Sequence, residues 1–461
     1  MAKILTLAHI MIIKNKAFIL LLVFSISGFA SNIHFREVAS KSNGKTLIAD
    51  RIEAKNFYFG TKAKKKGINV NKIETFKSDR GYGFDFNTSK NVKINSNSFS
   101  TETSTYFSVQ VPEGNYQVSV TFGSKTKSTT TTIKAESRRL MQDQLVLKKG
   151  KTTTKVFNVN VYTAYIDGKS KIDLKDRDLG KLNWDEKLTL EFLGNVEIQS
   201  ISIKPIDNVT SIYLAGDSTV TDQDLEPWAS WGQFITNYFD TNVVVVNYAI
   251  SGASLRSFKS SLRLKKILSL IKPGDYLIVE FAHNDEKEKG EGIGPWDSFS
   301  SSIREYVQTA RDKGAFPILI TPAQRRAFNA DGTLKPTHGD YPDAMRKVAE
   351  EMNVPLVDIT KLTTTLYESW GDEPSRKAFV QYPANTFPGQ KEKLEDNTHF
   401  NSFGANEIAL CVMKGLKDLN NPLAKYLIKD LPKYNPKHPN EFAKWTLPMS
   451  PRFEIVKPDG N

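Results

Sequence analysis

The sequence predicts two folds in one chain: an all-β sandwich, then an α/β domain on a parallel five-stranded sheet. Two observations carry this reading. Up to about Ile206, short segments alternate apolar and polar residues at period two between turn residues; beyond Asp207, nearly continuous apolar strands alternate with helical patterns. A length of 461 residues has room for both, since a domain takes roughly 100 to 200.

Ahead of the sandwich, Lys14 and Lys16 precede an uncharged stretch from Ala17 to Ala30 that closes on Gly28-Phe29-Ala30. Small residues at that point predict a signal peptide over residues 1–30, cleaved after Ala30, and therefore a secreted or periplasmic protein. The stretch is shorter than the roughly 20 residues of a bilayer span, so no stable membrane insertion is expected after cleavage, with an uncleaved anchor as the alternative. Cleavage removes Lys3, Lys14 and Lys16 and lowers the formal charge from +12 to +9. An exported basic chain without a recognition motif argues against nucleic acid and for an acidic partner outside the cytoplasm. The single Cys411 excludes an intramolecular disulfide.

The sandwich is expected over residues 31–207. Phe107–Val111, Tyr116–Phe122 and Leu188–Phe192 alternate as half-buried strands, separated by turn chemistry such as Pro112-Glu-Gly-Asn115. The Thr-rich run from Ser128 to Thr132 suits the solvent face of a sheet, or a linker. Tyr58, Phe59, Tyr82 and Phe84 fit a sandwich core, with a stacking platform for sugar rings as the alternative. Lys62-Ala-Lys-Lys-Lys66 reads as a solvated loop, with contact to an acidic polysaccharide as the sharper alternative.

Residues 208–461 form the second domain. Its strands are expected at Ser211–Ala215, Val243–Tyr248, Tyr276–Ala282, Phe316–Thr321 and Val354–Ile359, apolar enough to be covered on both faces. Helices are expected at Trp231–Phe239, Leu255–Ile271, Phe299–Lys313, Tyr341–Met352 and about Phe403–Leu416, the last capped by Asn401 or Ser402 and carrying Cys411 as a buried apolar residue. Open sheets of this kind bind ligands beyond the carboxyl ends of their strands, so functional groups should follow strands.

Four post-strand positions carry chemistry. Ser218 follows the first strand and is expected to open a helix whose terminus would favour developing negative charge; a helix cap would also account for it. Gly252 follows the second strand, where its N–H can approach a ligand or simply serve a tight turn. Asn284 follows the third and has an amide able to donate, although Asn is also a routine turn residue. Asp396-Asn-Thr-His399 is expected in a loop before the last helix, where a carboxylate could orient an imidazole; a surface histidine is the alternative. No phosphate-cradling glycine loop or metal-ligand spacing is present, so neither cofactor nor metal is expected.

Taken together, Ile212-Tyr-Leu-Ala-Gly-Asp-Ser-Thr219, Asn247 to Phe258, Phe281-Ala-His-Asn-Asp285, Thr321 to Phe328, Gly339 to Arg346 and Asp396-Asn-Thr-His-Phe400 resemble the SGNH (GDSL-type) hydrolases, in their rhamnogalacturonan acetylesterase branch. The resemblance implies a three-layer α/β/α flavodoxin-like domain. It also implies Ser218 as nucleophile, His399 as base, Asp396 as its orienter, and an oxyanion hole from Ser218 N–H, Gly252 N–H and the Asn284 side chain. Apart from the resemblance, Asp217, His283 and His338 are candidate substrate contacts; His338, in the polar loop Thr337-His338-Gly339, could instead touch only solvent. The implied activity is removal of O-acetyl groups from an acetylated, acidic, pectic polysaccharide by a secreted enzyme. Another glycan (xylan or an algal polysaccharide), or an inactive polysaccharide-binding protein, are the alternatives. The amino-terminal part resembles galactose-binding-like sandwiches in strand pattern and position. Two positions depart from the family pattern: Ala282 where the third block usually begins with Gly, and Ala253 where Arg is common, although Arg256 follows.

Overall fold

Along the strand Gly114–Gly123, Tyr116, Val118, Val120 and Phe122 are buried, and the residues between them are more exposed. This is the period-two signature of a sheet with one covered face. In the computed structural model, which describes residues 53–459, that strand belongs to the larger of two facing sheets. The expected leader over residues 1–30 and its cleavage after Ala30 lie outside the described residues.

The larger sheet has seven strands, ordered Thr152–Val161, Gly114–Gly123, Val196–Pro205, Lys55–Phe59 and Ile68–Val70, with Phe99–Thr101 and Lys93–Ile94 attached beside Val196–Pro205. The smaller has five antiparallel strands, ordered Tyr82–Asp85, Thr105–Gln110, Lys187–Leu193, Thr129–Ala135 and Arg139–Leu147. Phe57, Phe59, Phe84, Phe99 and Phe107 meet largely edge to face in the sandwich core. Of the four aromatics singled out in the sequence, Phe59 and Phe84 are therefore core, Tyr82 packs at its margin, and Tyr58 lies on the outward face. The threonine run is neither linker nor solvent face. It lies in the strand Thr129–Ala135, paired with both of its neighbours, and Thr129, Thr131 and Thr132 are buried while Thr130 is half-buried.

Beyond Pro205 a second, wholly parallel sheet begins. Five parallel strands follow in the order Val243–Asn247, Thr210–Gly216, Tyr276–Glu280, Phe316–Ile320 and Leu356–Val357. By position in the chain this is 2-1-3-4-5, the flavodoxin-like doubly wound order. One apolar face packs against Trp231–Phe234, Ile359–Trp370 and Ser402–Asp418. The other packs against Leu255–Ser260, Arg263–Leu270, Ser300–Asp312 and Tyr341–Glu351, which completes three layers. Asn401 caps the last helix by accepting from Gly404 N at 3.1 Å. Cys411 is fully buried there, and burial pushes its thiol up.

Several elements depart from those expected: the fifth parallel strand, expected over Val354–Ile359, is only Leu356–Val357 because Ile359 already opens the next helix, and the helix expected over Trp231–Phe239 is α-helical only over Trp231–Phe234. The Leu255–Ile271 segment is two helices, broken where Leu262 takes φ 65°. The helix Ile359–Trp370 and the hairpin of Phe379–Tyr382 with Leu394–Phe400 were not anticipated. Sandwich and sheet belong to one compact unit. Among the described residues, no helix is long and apolar enough to cross a membrane, and no group of three or more His, Cys, Asp or Glu is placed to hold a metal ion.

Candidate active site

The strand Thr210–Gly216 delivers the chain to Asp217, Ser218 and Thr219, where it turns: Val220 N and Thr221 N donate to Asp217 O at 3.2 and 3.0 Å. Asp217 Oδ1 accepts from Thr219 N at 2.9 Å and fixes the turn from below. This corrects the expected helix start at Ser218. The next helix begins only at Trp231, because the turn unwinds into an extended segment through Pro227, so no helix terminus lies at the serine.

His399 and Asp396 stand on the strand Leu394–Phe400, not in a loop. Antiparallel pairing with Phe379–Tyr382 supplies the backbone partners that a polar loop would have lacked. His399 Nε2 lies 2.8 Å from Ser218 Oγ, and His399 Nδ1 lies 2.7 Å from Asp396 Oδ2. All three side chains are buried. Asp396 Oδ1 accepts from Thr398 N at 2.8 Å and from His399 N at 3.0 Å. Burial alone would raise this carboxyl, but the hydrogen bond and charge of His399, with the two backbone N–H groups, bring it down to about 2. An ionised Asp396 holds the proton on His399 Nδ1 and leaves the Nε2 lone pair facing the serine hydroxyl. Trp228 meets the His399 ring edge-on at 5.8 Å.

The other post-strand loops are tied to the serine turn. Gln223 Nε2 donates to Ser218 O at 2.9 Å and to Ser251 Oγ at 3.4 Å, which joins the first loop to the second. Asn284 Nδ2 donates to Ala253 O at 3.0 Å, which joins the second to the third. Gly252 has φ 78°, and a Cβ there would stand 2.7 Å from Asp459 Cβ, so the carboxyl-terminal segment passes directly over it. The same segment brings Lys457 Nζ within 3.6 Å of Asp396 Oδ2. Beside it a cavity of about 300 Å³ is lined by Arg177, Lys181, Gln223, Trp228, Ser251 and Arg452, drawn from both sheets' domains and the tail.

Asp217, His283 and His338 lie beneath this surface. Asp217 is buried with Oδ2 3.3 Å from His283 Nδ1, and the His283 ring meets His338 edge-on at 4.5 Å. His338 is held by Ala323 O at 3.0 Å on one ring nitrogen and Glu286 Oε2 at 3.0 Å on the other. Burial pulls His283 down to about 4 despite the Asp217 charge, so it is neutral at pH 7. These three residues are therefore placed to support the serine turn from inside, and their side chains are closed off by protein partners.

A buried carboxyl missed in the sequence completes that support. Glu280 ends the third parallel strand with Oε2 2.6 Å from Trp231 Nε1 and Oε1 3.2 Å from Ala323 N. Thr219 Oγ1 lies 2.9 Å from Asp217 Oδ1 and 3.2 Å from Glu280 Oε1. Burial, then the Asp217 charge, pushes Glu280 up to about 8, while Asp217 is held low against its own burial by His283 and Thr219. Thr219 Oγ1 thus bridges the two carboxyls, with Asp217 held towards its ionised form and Glu280 towards its protonated form. One glutamate at the end of an otherwise apolar strand was the visible signal.

A parallel doubly wound sheet here presents a serine, an imidazole and a carboxylate in hydrogen-bonded series, an arrangement chemically able to carry acyl transfer through the serine. Residues 214–405 match the GDSL-like Lipase/Acylhydrolase family. The chain is 41% identical over 227 residues to rhamnogalacturonan acetylesterase RhgT of Bacillus subtilis (strain 168), a match covering 49% of this chain and 95% of that protein. It is 37% identical over 222 residues to the probable rhamnogalacturonan acetylesterase YesY of the same organism, covering 48% and 98%. A longer match, 26% identical over 382 residues and covering 78% and 90%, is to the uncharacterized esterase YxiM of that organism. The chain belongs to the GDSL-like lipase/acylhydrolase family and is a carboxylic ester hydrolase.

Proposed function

We propose that this chain is a secreted carbohydrate esterase that removes O-acetyl groups from a pectic polysaccharide of the rhamnogalacturonan type. The substrate class is supported by two relatives named as rhamnogalacturonan acetylesterases, each matched over nearly its whole length. The chemistry rests on one observation above all, the unbroken series Ser218, His399, Asp396 at 2.8 and 2.7 Å.

In this reading Ser218 Oγ attacks the acetyl carbonyl carbon while its proton passes to His399 Nε2. Asp396 remains ionised and stabilises the imidazolium. The ester C–O bond then breaks, His399 protonates the departing sugar oxygen, and the acetyl group stays on Ser218. Water repeats the sequence: it gives a proton to His399, attacks the acyl-enzyme, and releases acetate with the serine restored. The oxyanion is met by Ser218 N–H, Gly252 N–H and the Asn284 amide, which has a second N–H beside the one given to Ala253 O. Each such donor is worth about 10² to 10³ in rate.

Acetate release from acetylated rhamnogalacturonan, acetylated xylan and an aryl acetate, by wild type and Ser218→Ala, tests the proposal. Ser218→Ala is expected to lose on the order of 10⁴-fold or more in kcat on all substrates that wild type cleaves. Undiminished turnover in that variant would overturn the mechanism. Release from xylan but not from rhamnogalacturonan would overturn the substrate.

A further inference from the structure

A groove of about 1320 Å³ lies on the sandwich, against about 300 Å³ for the cavity beside Ser251. Its floor is the outward face of the seven-stranded sheet. Strand register places Tyr58, Ser200, Thr121 and Thr154 in one row across four strands, while Phe57, Ile201 and Val120 point into the core. Of that row Tyr58, Ser200 and Thr121 line the groove, with Thr152 beside them, and Thr121 Oγ1 is tied to Thr154 Oγ1 at 2.9 Å at the edge of the floor.

The walls are fixed before any ligand arrives. Thr61 N donates to Asn95 O at 2.9 Å and Lys62 N to Ser96 O at 2.8 Å, so the lysine-rich loop is zipped to the neighbouring hairpin. That approach is close enough to require glycine, since a Cβ at Gly60 would lie 2.5 Å from Asn97 Cα. Asn95 Nδ2 donates to Ser98 Oγ and Ser100 Oγ at 3.1 Å, and Ser98 Oγ donates to Glu197 Oε1 at 2.8 Å. Six lysines rim the groove, Lys62, Lys64, Lys65, Lys93, Lys125 and Lys127, against two acids, Glu102 and Glu197. Lys127 stands 3.7 Å from Glu102, and Lys65 lies over the Tyr58 ring at 5.1 Å.

We propose that this groove is a second binding site, and that it holds a stretch of a carboxylate-bearing polysaccharide. Hydroxyl and amide side chains on a rigid floor match sugar hydroxyls, and lysines on a flexible rim match carboxylates spaced along a chain. Single-stranded nucleic acid fits poorly, because it is gripped by rows of stacking aromatics. Of the two aromatics lining the groove, Phe59 is buried in the core and Tyr58 is covered by Lys65. The residues that join the sandwich to the sheet domain come from other stretches, among them Lys134 to Arg139 and Asn158, which leaves this face as a separate surface.

The test is affinity electrophoresis of the full chain in gels holding polygalacturonate, neutral galactan or a single-stranded RNA homopolymer. Wild type is expected to be retarded by polygalacturonate and not by galactan, with retardation lost as added salt shortens the screening length below about 8 Å. Lys64→Ala/Lys93→Ala/Lys125→Ala is expected to weaken binding about tenfold or more, and the corresponding Arg triple variant to retain it. Both variants should share the wild-type circular dichroism spectrum and thermal midpoint. Absence of retardation, retardation undiminished in the Ala variant, equal retardation by galactan, or stronger retardation by the RNA would each overturn the proposal. Polygalacturonate carries no acetyl group, so the result stands or falls independently of the Ser218 chemistry.

Discussion

Arg139 Nε donates to Asp222 Oδ2 across 2.6 Å, and both side chains are about 1% exposed. Arg139 belongs to the sandwich, and Asp222 lies four residues past Ser218. The same carboxylate accepts from Asn183 Nδ2 at 3.0 Å and from Asn247 Nδ2 at 2.8 Å, so the sandwich and the second parallel strand share one buried charge. Nearby, Arg138 and Lys134 pair with Glu226 at 2.6 and 3.5 Å, and Ser137 Oγ donates to Asp224 Oδ1 at 2.7 Å. The sandwich therefore holds the segment that follows the serine, and is part of how the site is built.

Breaking a buried pair on one side leaves an uncompensated charge, which costs about 3 to 5 kcal/mol. Arg139→Met is expected to lose stability of that order in urea unfolding, and Arg139→Met/Asp222→Leu to regain a substantial share of it. Sandwich and sheet should unfold in one transition. Two well-separated transitions in wild type would contradict the coupling.

Ala282 takes φ 147° while fully buried. A side chain in that region carries strain of roughly 1 to 3 kcal/mol. Replacing a buried Ala by Gly ordinarily costs about 1.5 kcal/mol, from the lost methyl and the freer unfolded chain. At Ala282 the two effects oppose each other, so Ala282→Gly should change stability by less than about 1 kcal/mol. Ala215, equally buried but in a regular strand, provides the comparison, and Ala215→Gly should show the full cost. Equal losses at the two sites would show that the Ala282 backbone is unstrained.

Four of the parallel strands were legible because each is a nearly continuous apolar run, and Ser218, Gly252, Asn284, Asp396 and His399 stood out as candidates because each follows such a run or precedes the last helix; the fifth strand, interrupted by Pro355 and Asp358, is only Leu356–Val357. The Leu262 break was not legible, since neither Gly nor Pro marks it. Nor was the strand carrying His399: Leu394-Glu-Asp-Asn-Thr-His-Phe400 has no apolar alternation and is held by its partner strand. Arg139 with Asp222, 83 residues apart, leaves no local periodicity at all. Local pattern encodes which face of an element is buried, whereas these features depend on what arrives from elsewhere in the chain.

Glu280 gives the fold a pH dependence of definite sign. Its carboxyl is raised from 4.5 to about 8 in the folded chain, by burial first and the Asp217 charge second. The folded state therefore holds this proton more tightly than the unfolded state. That stabilisation is complete below about pH 4.5 and is lost as pH rises through about 8, at up to about 1.4 kcal/mol per pH unit. In urea unfolding at pH 5 and pH 8, Glu280→Gln should show a smaller fall in stability than wild type between the two conditions. An identical fall in both proteins would mean that Glu280 is ionised throughout.

The helix Trp231–Phe234 meets the serine turn without a gap. A Cβ on Gly232 would stand 2.1 Å from Val220 O and 2.8 Å from Asn247 Nδ2, and Asn247 Nδ2 donates to that same Val220 O at 2.8 Å. Val220 lies two residues past Ser218, so anything that pushes it away also moves the turn presenting Oγ to His399. Overpacking of this kind costs about 1 to 3 kcal/mol in stability, and a displacement of about 1 Å at reacting groups can cost about a hundredfold in rate. Gly232→Ala is expected to lower kcat on an aryl acetate by roughly 10- to 100-fold, with KM near that of wild type. Gly415→Ala offers the control, because its Cβ would lie 2.3 Å from Val357 Cγ1, where the last helix packs on the fifth parallel strand, and none of the atoms it meets belongs to the serine turn. It should lose comparable stability and keep its kcat. Equal kcat losses in the two variants would point to general loosening of the fold, and a loss confined to Gly232→Ala to the position of Ser218.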